Sequence, residues 1–290
     1  MKVLAPAKIN LWLSVGARRP DGFHEIESVM QTVSVFDSLE ISAREGIAFD
    51  VMPPGAAPED ESNLVIKSVR ALWGVLGRTP GAALTLSKTI PVAAGLAGGS
   101  ADAAAALVGL NELWDGRLSR KALEKVGAAI GSDVPFCVRG GTCAVRGRGE
   151  VLSPLPAHDP LWWVIAVPDA SLSTVQVYAE FDRLNALPAL EDPFELADAL
   201  ARGDVDRIGG LLRNDLQDAA VSLLPSLAAG GDVLRSAGAA GAIVSGSGPA
   251  WIGLCRDEAH AGSVADAVRD RFAFVAAATA TGRGPVVENP

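Results

Sequence analysis

Cysteine and histidine are scarce in this chain of 290 residues, which has three of each. Cys137, Cys143 and Cys255 form no Cys-x-x-Cys pair, and the three histidines lie far apart in sequence. Neither residue type has the spacing of a zinc site, so the sequence predicts no metal-ligating residues. An odd number of cysteines without a pattern is also typical of a reducing compartment.

Three common motifs are absent as well. There is no Gly-Lys dipeptide, which excludes a Walker A loop, and no Gly-x-Gly-x-x-Gly, which argues against a dinucleotide-binding fold. The lack of Gly-x-Ser-x-Gly weakens a hydrolase interpretation. A phosphate site in this chain must therefore be of another kind.

Positive charge is in the minority, because 25 lysines and arginines face 34 acidic residues for a net charge of −9. Nonspecific nucleic-acid binding needs a basic face, so we expect no nucleic-acid partner, although local N–H groups and one lysine could still bind a nucleotide. A hydrophobic content of 49% with 20% charged residues is typical of a globular protein. The length predicts one large domain or two of ordinary size.

One stretch, residues 92–110, is almost entirely small or apolar. Ser100 and Asp102 interrupt it and glycines fill its first half, so we interpret it as a loop and a buried helix rather than a membrane span. The first eight residues contain Pro6 and Lys8 and are not typical of a signal peptide. We expect a cytoplasmic protein with no membrane partner.

Hydrophobic periodicity predicts a β-rich beginning and an α+β fold class. The predicted strands of the first half are 9–15, 29–35, 39–43, 83–90 and 136–145. The predicted helices are 63–76, capped by Ser62 or Asn63, then 103–114 and 119–130.

A proline-rich segment at 152–160 is the best candidate for a domain boundary. Beyond it the pattern predicts strands at 161–167, 242–244, 250–254 and 272–280, and helices at 173–185, 193–202, 204–213, 226–237 and 257–271. We therefore predict two α+β domains, residues 1–155 and 156–290, with a cleft between them.

The most informative segment is Pro-Val-Ala-Ala-Gly-Leu-Ala-Gly-Gly-Ser-Ala-Asp at 91–102. It follows a predicted strand and leads into a predicted helix. Glycines let the backbone approach a ligand closely, and a helix N-terminus favours negative charge, so the loop is a candidate phosphate site. The alternative is a tight strand–helix turn whose small residues serve packing.

Four further segments carry candidate residues, each with a plain structural alternative. Lys8 could be an ordinary surface lysine of a strand, and Asp133 a local hydrogen-bond acceptor in a turn. Phe23 and His24 follow a turn and suit ligand stacking plus a hydrogen bond, although a single histidine is more often structural. Ser-Gly-Ser-Gly-Pro at 245–249 is either a turn between strands or a source of backbone N–H groups.

Together these segments resemble the GHMP kinase superfamily, named for galactokinase and the homoserine, mevalonate and phosphomevalonate kinases. The phosphate loop of that family is matched at 91–101 and its C-terminal glycine loop at 245–249. The chain looks most like the members that phosphorylate a cytidine-diphosphate sugar alcohol. The motifs at 6–10, 21–24, 91–102, 131–135 and 245–249 support this, in the same order over nearly the whole chain.

The resemblance implies a two-domain α+β GHMP kinase fold with its active site in the cleft between the domains. It implies phosphoryl transfer from ATP to a tertiary 2-hydroxyl, a step of the non-mevalonate route to isoprenoid precursors. By similarity, Asp133 is the base and Lys8 its partner. An aspartate can take the proton of a hindered alcohol, and a nearby ammonium keeps that carboxylate ionised.

The same resemblance implies the remaining site residues. The implied ATP-binding residues are Asn63, Lys88, Pro91, Val92, Ala93, Ala94, Gly95, Leu96, Ala97, Gly98, Gly99, Ser100 and Ala101. The implied substrate-binding residues are Asn10, Phe23, His24, Tyr178, Gly246, Ser247 and Gly248, with Phe23 and Tyr178 on the two faces of the cytosine. The family often has tyrosine where Phe23 stands, which preserves stacking but not a phenol hydrogen bond.

Magnesium is expected with ATP, bound mainly by phosphates and water, because the chain has Gly98 and Gly99 near the position of the family's metal-binding serine. The predicted partner is a small cytidine-diphosphate sugar alcohol, and the predicted oligomeric state is a monomer or weak homodimer. Two alternatives stay open: another small-molecule GHMP kinase of the homoserine or mevalonate type, and a kinase-like protein that binds ligands without catalysis.

Overall fold

The computed structural model describes residues 1–157, 160–184 and 189–288. Within these ranges, one sheet has eight strands: β1 (Lys2–Arg18), β2 (His24–Ser42), β3 (Ile47–Met52), β4 (Ala82–Ser87), β5 (Thr142–Gly147), β6 (Val151–Pro154), β8 (Arg213–Asn214) and β12 (Val286–Glu288). A second sheet has four strands among the described residues: β7 (Trp162–Val167), β9 (Gly241–Val244), β10 (Trp251–Cys255) and β11 (Phe274–Thr279).

The helices account for the other half of the predicted α+β class, which is confirmed. They are α1 (Leu64–Leu76), α2 (Gly98–Leu113), α3 (Arg120–Gly127), α4 (Val134–Arg139), α5 (Thr174–Leu184), α6 (Phe194–Arg202), α7 (Val205–Leu211), α8 (Gln217–Leu223), α9 (Gly230–Ser236) and α10 (Glu258–Val268). Short 3₁₀ turns lie at Pro225–Leu227 and Arg269–Arg271.

The long antiparallel pair of β1 and β2 is the frame of the first sheet, whose main path runs β12-β1-β2-β4-β3. Two separate strands pair with the other edge of β1, one near each end. Strand β12 pairs with Lys2 to Leu4, and β8 pairs in parallel with Trp12 and Leu13. The middle of this edge, around Lys8, is left to loops. The second sheet is antiparallel throughout, in the order β11-β7-β10-β9.

Helix α2 packs on β1 and β2 through small residues. The alanines at 101 and 103–106 are all fully buried. A Cβ at Gly109 would come within 2.5 Å of Ile41 and 2.8 Å of Val3, so only glycine allows this helix to lie so close to the sheet. In the described part of the chain no helix is both long and apolar enough to cross a membrane.

The predicted strand at 136–145 is wrong in its first part, where Val134–Arg139 form helix α4 and the strand begins only at Thr142. Pro135 suits the first turn of a helix, and Gly140 and Gly141 both have positive φ and end it. Strand β2 is one long strand where two were expected, and α8 and β12 were not expected.

The domain division at 155/156 stays a prediction, and residues 158 and 159 of the proline-rich segment lie outside the described ranges. Strands β8 and β12, from the second half, join the first sheet. One hydrophobic core likewise combines Ile9 and Leu11 with Leu196, Ile208 and Ile252.

Candidate active site

A cleft of about 870 Å³ collects residues from both halves of the chain. It is lined by the loop at 91–97, the start of α2, the middle of β1, the start of β2, α5 and the loop at 245–249. Every candidate residue from the sequence lines it except Leu96, Ala101 and Gly248, which are buried behind it. The structure therefore brings the five motifs to one place.

The loop at 91–97 turns its carbonyl groups away from the cleft. The oxygens of Ala94, Gly95 and Leu96 accept hydrogen bonds from Ala250 N, Ser245 Oγ and Lys8 N respectively. Within the described residues, no backbone N–H from Val92 to Ser100 donates a hydrogen bond. Unpartnered N–H groups that lead into a 16-residue helix are a site for anionic ligands.

This loop has an uncommon backbone, because Ala93, Gly95 and Ala97 all have positive φ. Gly95 cannot be replaced without movement, since a Cβ there would lie 2.1 Å from Ser245 O and 3.1 Å from Gly248 N. Two alanines in the left-handed region are a local strain of the kind found at functional sites.

Lys8 and Asp133 meet across the cleft. Lys8 Nζ lies 3.7 Å from Asp133 Oδ2, with the lysine side chain 5% exposed and the aspartate side chain 31% exposed. Asp133 precedes α4 but makes no capping hydrogen bond. The simple interpretation of Asp133 as a local acceptor in a turn is therefore wrong, and its carboxylate is free to face a ligand.

Asn10 orients the lysine from the same face of β1. Its Oδ1 accepts a hydrogen bond from Lys8 Nζ at 2.6 Å, and its Nδ2 donates to Ser28 Oγ at 3.0 Å. Its backbone N–H donates to Ser245 Oγ at 3.2 Å. The side-chain amide of Asn10 is buried and already hydrogen-bonded to Lys8 and Ser28. Its contact with a ligand stays a prediction.

The loop at 245–249 closes the cleft beside this pair. A Cβ at Gly246 would lie 3.2 Å from Asn10 Oδ1 and 3.4 Å from Lys8 Nζ, so glycine is needed for the close approach. Asn214 Nδ2 donates to Val244 O and Gly246 O, each at 2.7 Å, and fixes the loop. No motif indicated Asn214, which is the last residue of the two-residue strand β8.

A buried ion cluster below the start of α2 was also missed. Lys88 Nζ donates to Asp37 Oδ2 and, at 2.6 Å, to Asp102 Oδ2, and all three side chains are almost inaccessible to solvent. Asp37 Oδ1 accepts from Thr89 N at 2.5 Å and Ile90 N at 2.9 Å, which holds the entry to the loop. The other oxygen of Asp102 has no partner in the described residues.

Burial raises the pKa of Asp102 despite the opposing charge of Lys88. The pKa of Lys88 is also raised, because the two carboxylates outweigh the effect of burial. The predicted contact of Lys88 with adenosine stays a prediction, and so does that of Asn63. Asn63 caps α1 by accepting from Val65 N at 2.9 Å and donates to Pro58 O at 2.6 Å.

Aromatic rings line one end of the cleft. Phe23 is 45% exposed, with the Arg148 guanidinium 5.2 Å above its ring. His24 lies 5.0 Å from Tyr178 between ring centroids, and its Nε2 is 2.7 Å from Asp182 Oδ1. Burial, and to a smaller degree Asp133, raises the pKa of Tyr178, so its hydroxyl stays protonated.

Comparison with known families gives two matches. The model described as GHMP kinases N terminal domain matches residues 63–141, and the one described as GHMP kinases C terminal matches residues 196–273. The first includes the loop at 91–97 and Asp133.

Two curated relatives match nearly the full chain. The 4-diphosphocytidyl-2-C-methyl-D-erythritol kinase of Nocardia farcinica is 47% identical over 98% of this chain and 94% of its own length. The protein of the same name from Salinispora arenicola is 46% identical over 98% of this chain and 92% of its own.

Solved structures agree in fold. A crystal structure of a 4-(cytidine 5'-diphospho)-2C-methyl-D-erythritol kinase has a TM-score of 0.82 and 32% identity, covering 97% of this chain and all 100% of its own. A homoserine kinase from Cytophaga hutchinsonii has a TM-score of 0.77 with 22% identity, covering 99% and 96%. At that identity the second match shows the fold alone.

Proposed function

The chain belongs to the 4-diphosphocytidyl-2-C-methyl-D-erythritol kinase family within the GHMP kinases, and from that premise we propose how its residues act. It is an ATP-dependent kinase that phosphorylates the 2-hydroxyl of 4-diphosphocytidyl-2-C-methyl-D-erythritol. This phosphorylation is a step of non-mevalonate isoprenoid precursor synthesis. The roles below are proposals about individual residues.

The observation that carries the mechanism is the Lys8–Asp133 pair, 3.7 Å apart and in the same cleft as the unpartnered N–H groups of the loop. Asp133 takes the proton of the 2-hydroxyl as the new bond to phosphorus forms. Lys8, oriented by Asn10, lies beside that carboxylate and stabilises the negative charge that develops on the transferred group.

ATP binds with its phosphates on the loop at 91–97 and the first turn of α2. The N–H groups there donate to phosphate oxygens, and the dipole of α2 favours their charge. Phosphoryl transfer needs little covalent chemistry from a protein, so this placement together with the base supplies most of what the reaction requires.

For magnesium, the described residues contain no group of three or more His, Cys, Asp or Glu side chains that could hold a metal ion. We propose a magnesium ion that keeps several waters and binds chiefly to the nucleotide phosphates, where it would neutralise their charge. We therefore assign no protein ligand, although Ser100, Asp102 and Asp133 are oxygen-bearing side chains on the cleft wall.

The cytosine binds at the other end of the cleft, stacked on Phe23 and Tyr178 with its edge toward His24. Base–aromatic stacking contributes about 1–3 kcal/mol per base. The exposed ring of Phe23 and the position of Tyr178 beside His24 support this assignment.

A coupled ADP-release assay with 4-diphosphocytidyl-2-C-methyl-D-erythritol, homoserine and mevalonate as separate acceptors tests the proposal. We expect turnover with the cytidyl substrate and background rates with the other two. Equal or faster turnover of homoserine or mevalonate would contradict it. The cytoplasmic location and the monomeric or weakly dimeric state stay predictions, and sedimentation velocity tests the latter.

A further inference from the structure

Helix α5 surrounds the His24 ring with three side chains. Tyr178 lies 5.0 Å and Phe181 6.2 Å from the imidazole, measured between ring centroids, and Asp182 Oδ1 lies 2.7 Å from Nε2. Residues 178, 181 and 182 are spaced by three and four positions, so they share one face of the helix. The imidazole is therefore fixed in both position and orientation.

The Asp182 contact favours one arrangement of the ring hydrogens. An ionised carboxylate only accepts hydrogen bonds, so the contact is a hydrogen bond when Nε2 carries the hydrogen. A neutral imidazole has one N–H, which leaves a lone pair on Nδ1. His24 lines the cleft, and its Nδ1 has no hydrogen-bond partner in the part of the chain that the structure describes.

Stacking cannot by itself distinguish one pyrimidine from another, because every base has a π-face. The Arg148 guanidinium already covers one face of Phe23, and the exposed remainder of the ring offers a surface to any base. Discrimination between pyrimidines must then come from a group that contacts the edge of the base.

We propose that Asp182 is a positioning residue that holds His24 in the Nε2–H form, so that Nδ1 accepts the 4-amino group of cytosine and rejects uracil. The inference rests on the proposed function, in which the substrate carries a cytidine. Cytosine presents a donor at position 4, whereas uracil presents a carbonyl oxygen that would face the Nδ1 lone pair without a hydrogen. A polar site left unpaired in this way discriminates strongly.

The first test reads the ring directly. Long-range ¹H–¹⁵N NMR of the full chain separates a protonated ring nitrogen from one with a lone pair, and a His24→Gln spectrum assigns the signal. We expect the Nε2–H form in the wild type and a mixture of forms in Asp182→Ala. A protonated Nδ1 in the wild type would overturn the proposal.

The second test is kinetic, with 4-diphosphocytidyl-2-C-methyl-D-erythritol and its uridine analogue as acceptors. We expect Asp182→Ala to reduce the cytidine-over-uridine ratio of kcat/KM roughly tenfold or more, through KM rather than kcat. Asp182→Asn should restore part of the ratio, because an amide oxygen can still accept from Nε2. Glu180→Gln, which changes a carboxylate of the same helix outside the cleft, is the control and should keep the wild-type ratio.

The two tests distinguish failure of the proposed kinase function from failure of the role given to Asp182. If the wild type does not use the cytidyl substrate, the proposed function fails while the NMR result still reports on Asp182. If the wild type uses it and Asp182→Ala keeps both the full discrimination and the wild-type KM, the role of Asp182 is wrong.

Discussion

Replacing Lys88 by methionine would remove the cation from the buried cluster of Lys88, Asp37 and Asp102 below the loop at 91–97. Methionine has a similar length, so the change removes the charge while largely keeping the volume. The Asp37 side chain is 0% exposed and the Asp102 side chain is 4% exposed. Water therefore cannot replace the hydrogen bonds that each carboxylate would lose with Lys88. One oxygen of Asp102 already lacks a hydrogen bond within the described residues.

We expect the variant to lose about 3–5 kcal/mol of folding free energy at neutral pH, the usual cost of removing one partner from a buried ion pair. That is a large part of a typical stability of about 5–15 kcal/mol. Because Asp37 also holds Thr89 N and Ile90 N, the surviving protein should have a disordered loop entry and a higher KM for ATP.

The loss should depend on pH. Burial raises the pKa of Asp102, and the charge of Lys88 opposes that rise, so removing Lys88 raises it further. A group whose pKa is higher in the folded than in the unfolded state contributes stability below its unfolded pKa of about 3.9 and loses it as pH rises. The difference in unfolding free energy between the wild type and Lys88→Met should therefore be smaller at pH 5 than at pH 8.

Urea unfolding at both pH values, with Lys67→Met as a control for an exposed helix lysine, measures this. An unfolding free energy of Lys88→Met within about 1 kcal/mol of the wild type at pH 8 would contradict this prediction, since exposed pairs contribute about that little. A deficit that is equal at pH 5 and pH 8 would refute the pH argument.

Three further substitutions address the catalytic and binding residues. Asp133→Asn should lower turnover about 10²–10⁴-fold, which is the usual contribution of a general base. Calorimetry should show that its affinity for ATP is nearly unchanged. Turnover within about threefold of the wild type would exclude Asp133 as the base. Phe23→Ala should weaken binding of the cytidyl substrate by about 1–3 kcal/mol and leave the KM for ATP unaltered; a raised KM for ATP instead would place Phe23 at the adenine. Gly98→Val should raise the KM for ATP, because a Cβ at Gly98 would lie 3.2 Å from Ile90 Cγ2 and displace the first turn of α2. Gly74→Val, in α1 and away from the cleft, is the matched control, because a Cβ at Gly74 would meet no other atom within 4 Å. Equal effects of the two glycine changes would show that the position of this turn does not matter for ATP.

The motifs that converge in the cleft were predictable together, because their order along the chain resembles a known kinase family. The glycine-rich turn before an alanine-rich helix was a candidate phosphate site from its residues alone, whereas Lys8 and Asp133 each had an ordinary structural alternative. Similarly, Asn63 at the start of α1 was recognisable as a cap from its residue type and position. Local sequence was sufficient for this cap, because the side chain that accepts and the N–H that donates are two residues apart.

The residues that sequence missed are the distant partners of residues it did predict. Asp37 contacts Lys88 across 51 residues, and Asp182 contacts His24 across 158. No periodicity or motif links such pairs, since only the fold brings them together. The error at 136–145 is different, because Pro135 and the Gly140–Gly141 pair did carry the signal for a short helix.

The divided edge of β1 has a consequence for aggregation. An uncovered strand edge presents N–H and C=O groups to which another chain can add. Here β12 and β8 cover the two ends, while Leu96 O and Ser245 Oγ accept from Lys8 N and Asn10 N in the gap. The loops at 91–97 and 245–249 thus also shield the strand that carries Lys8, and a chain in which they detach exposes a surface for self-association at the same moment that it loses two walls of the cleft.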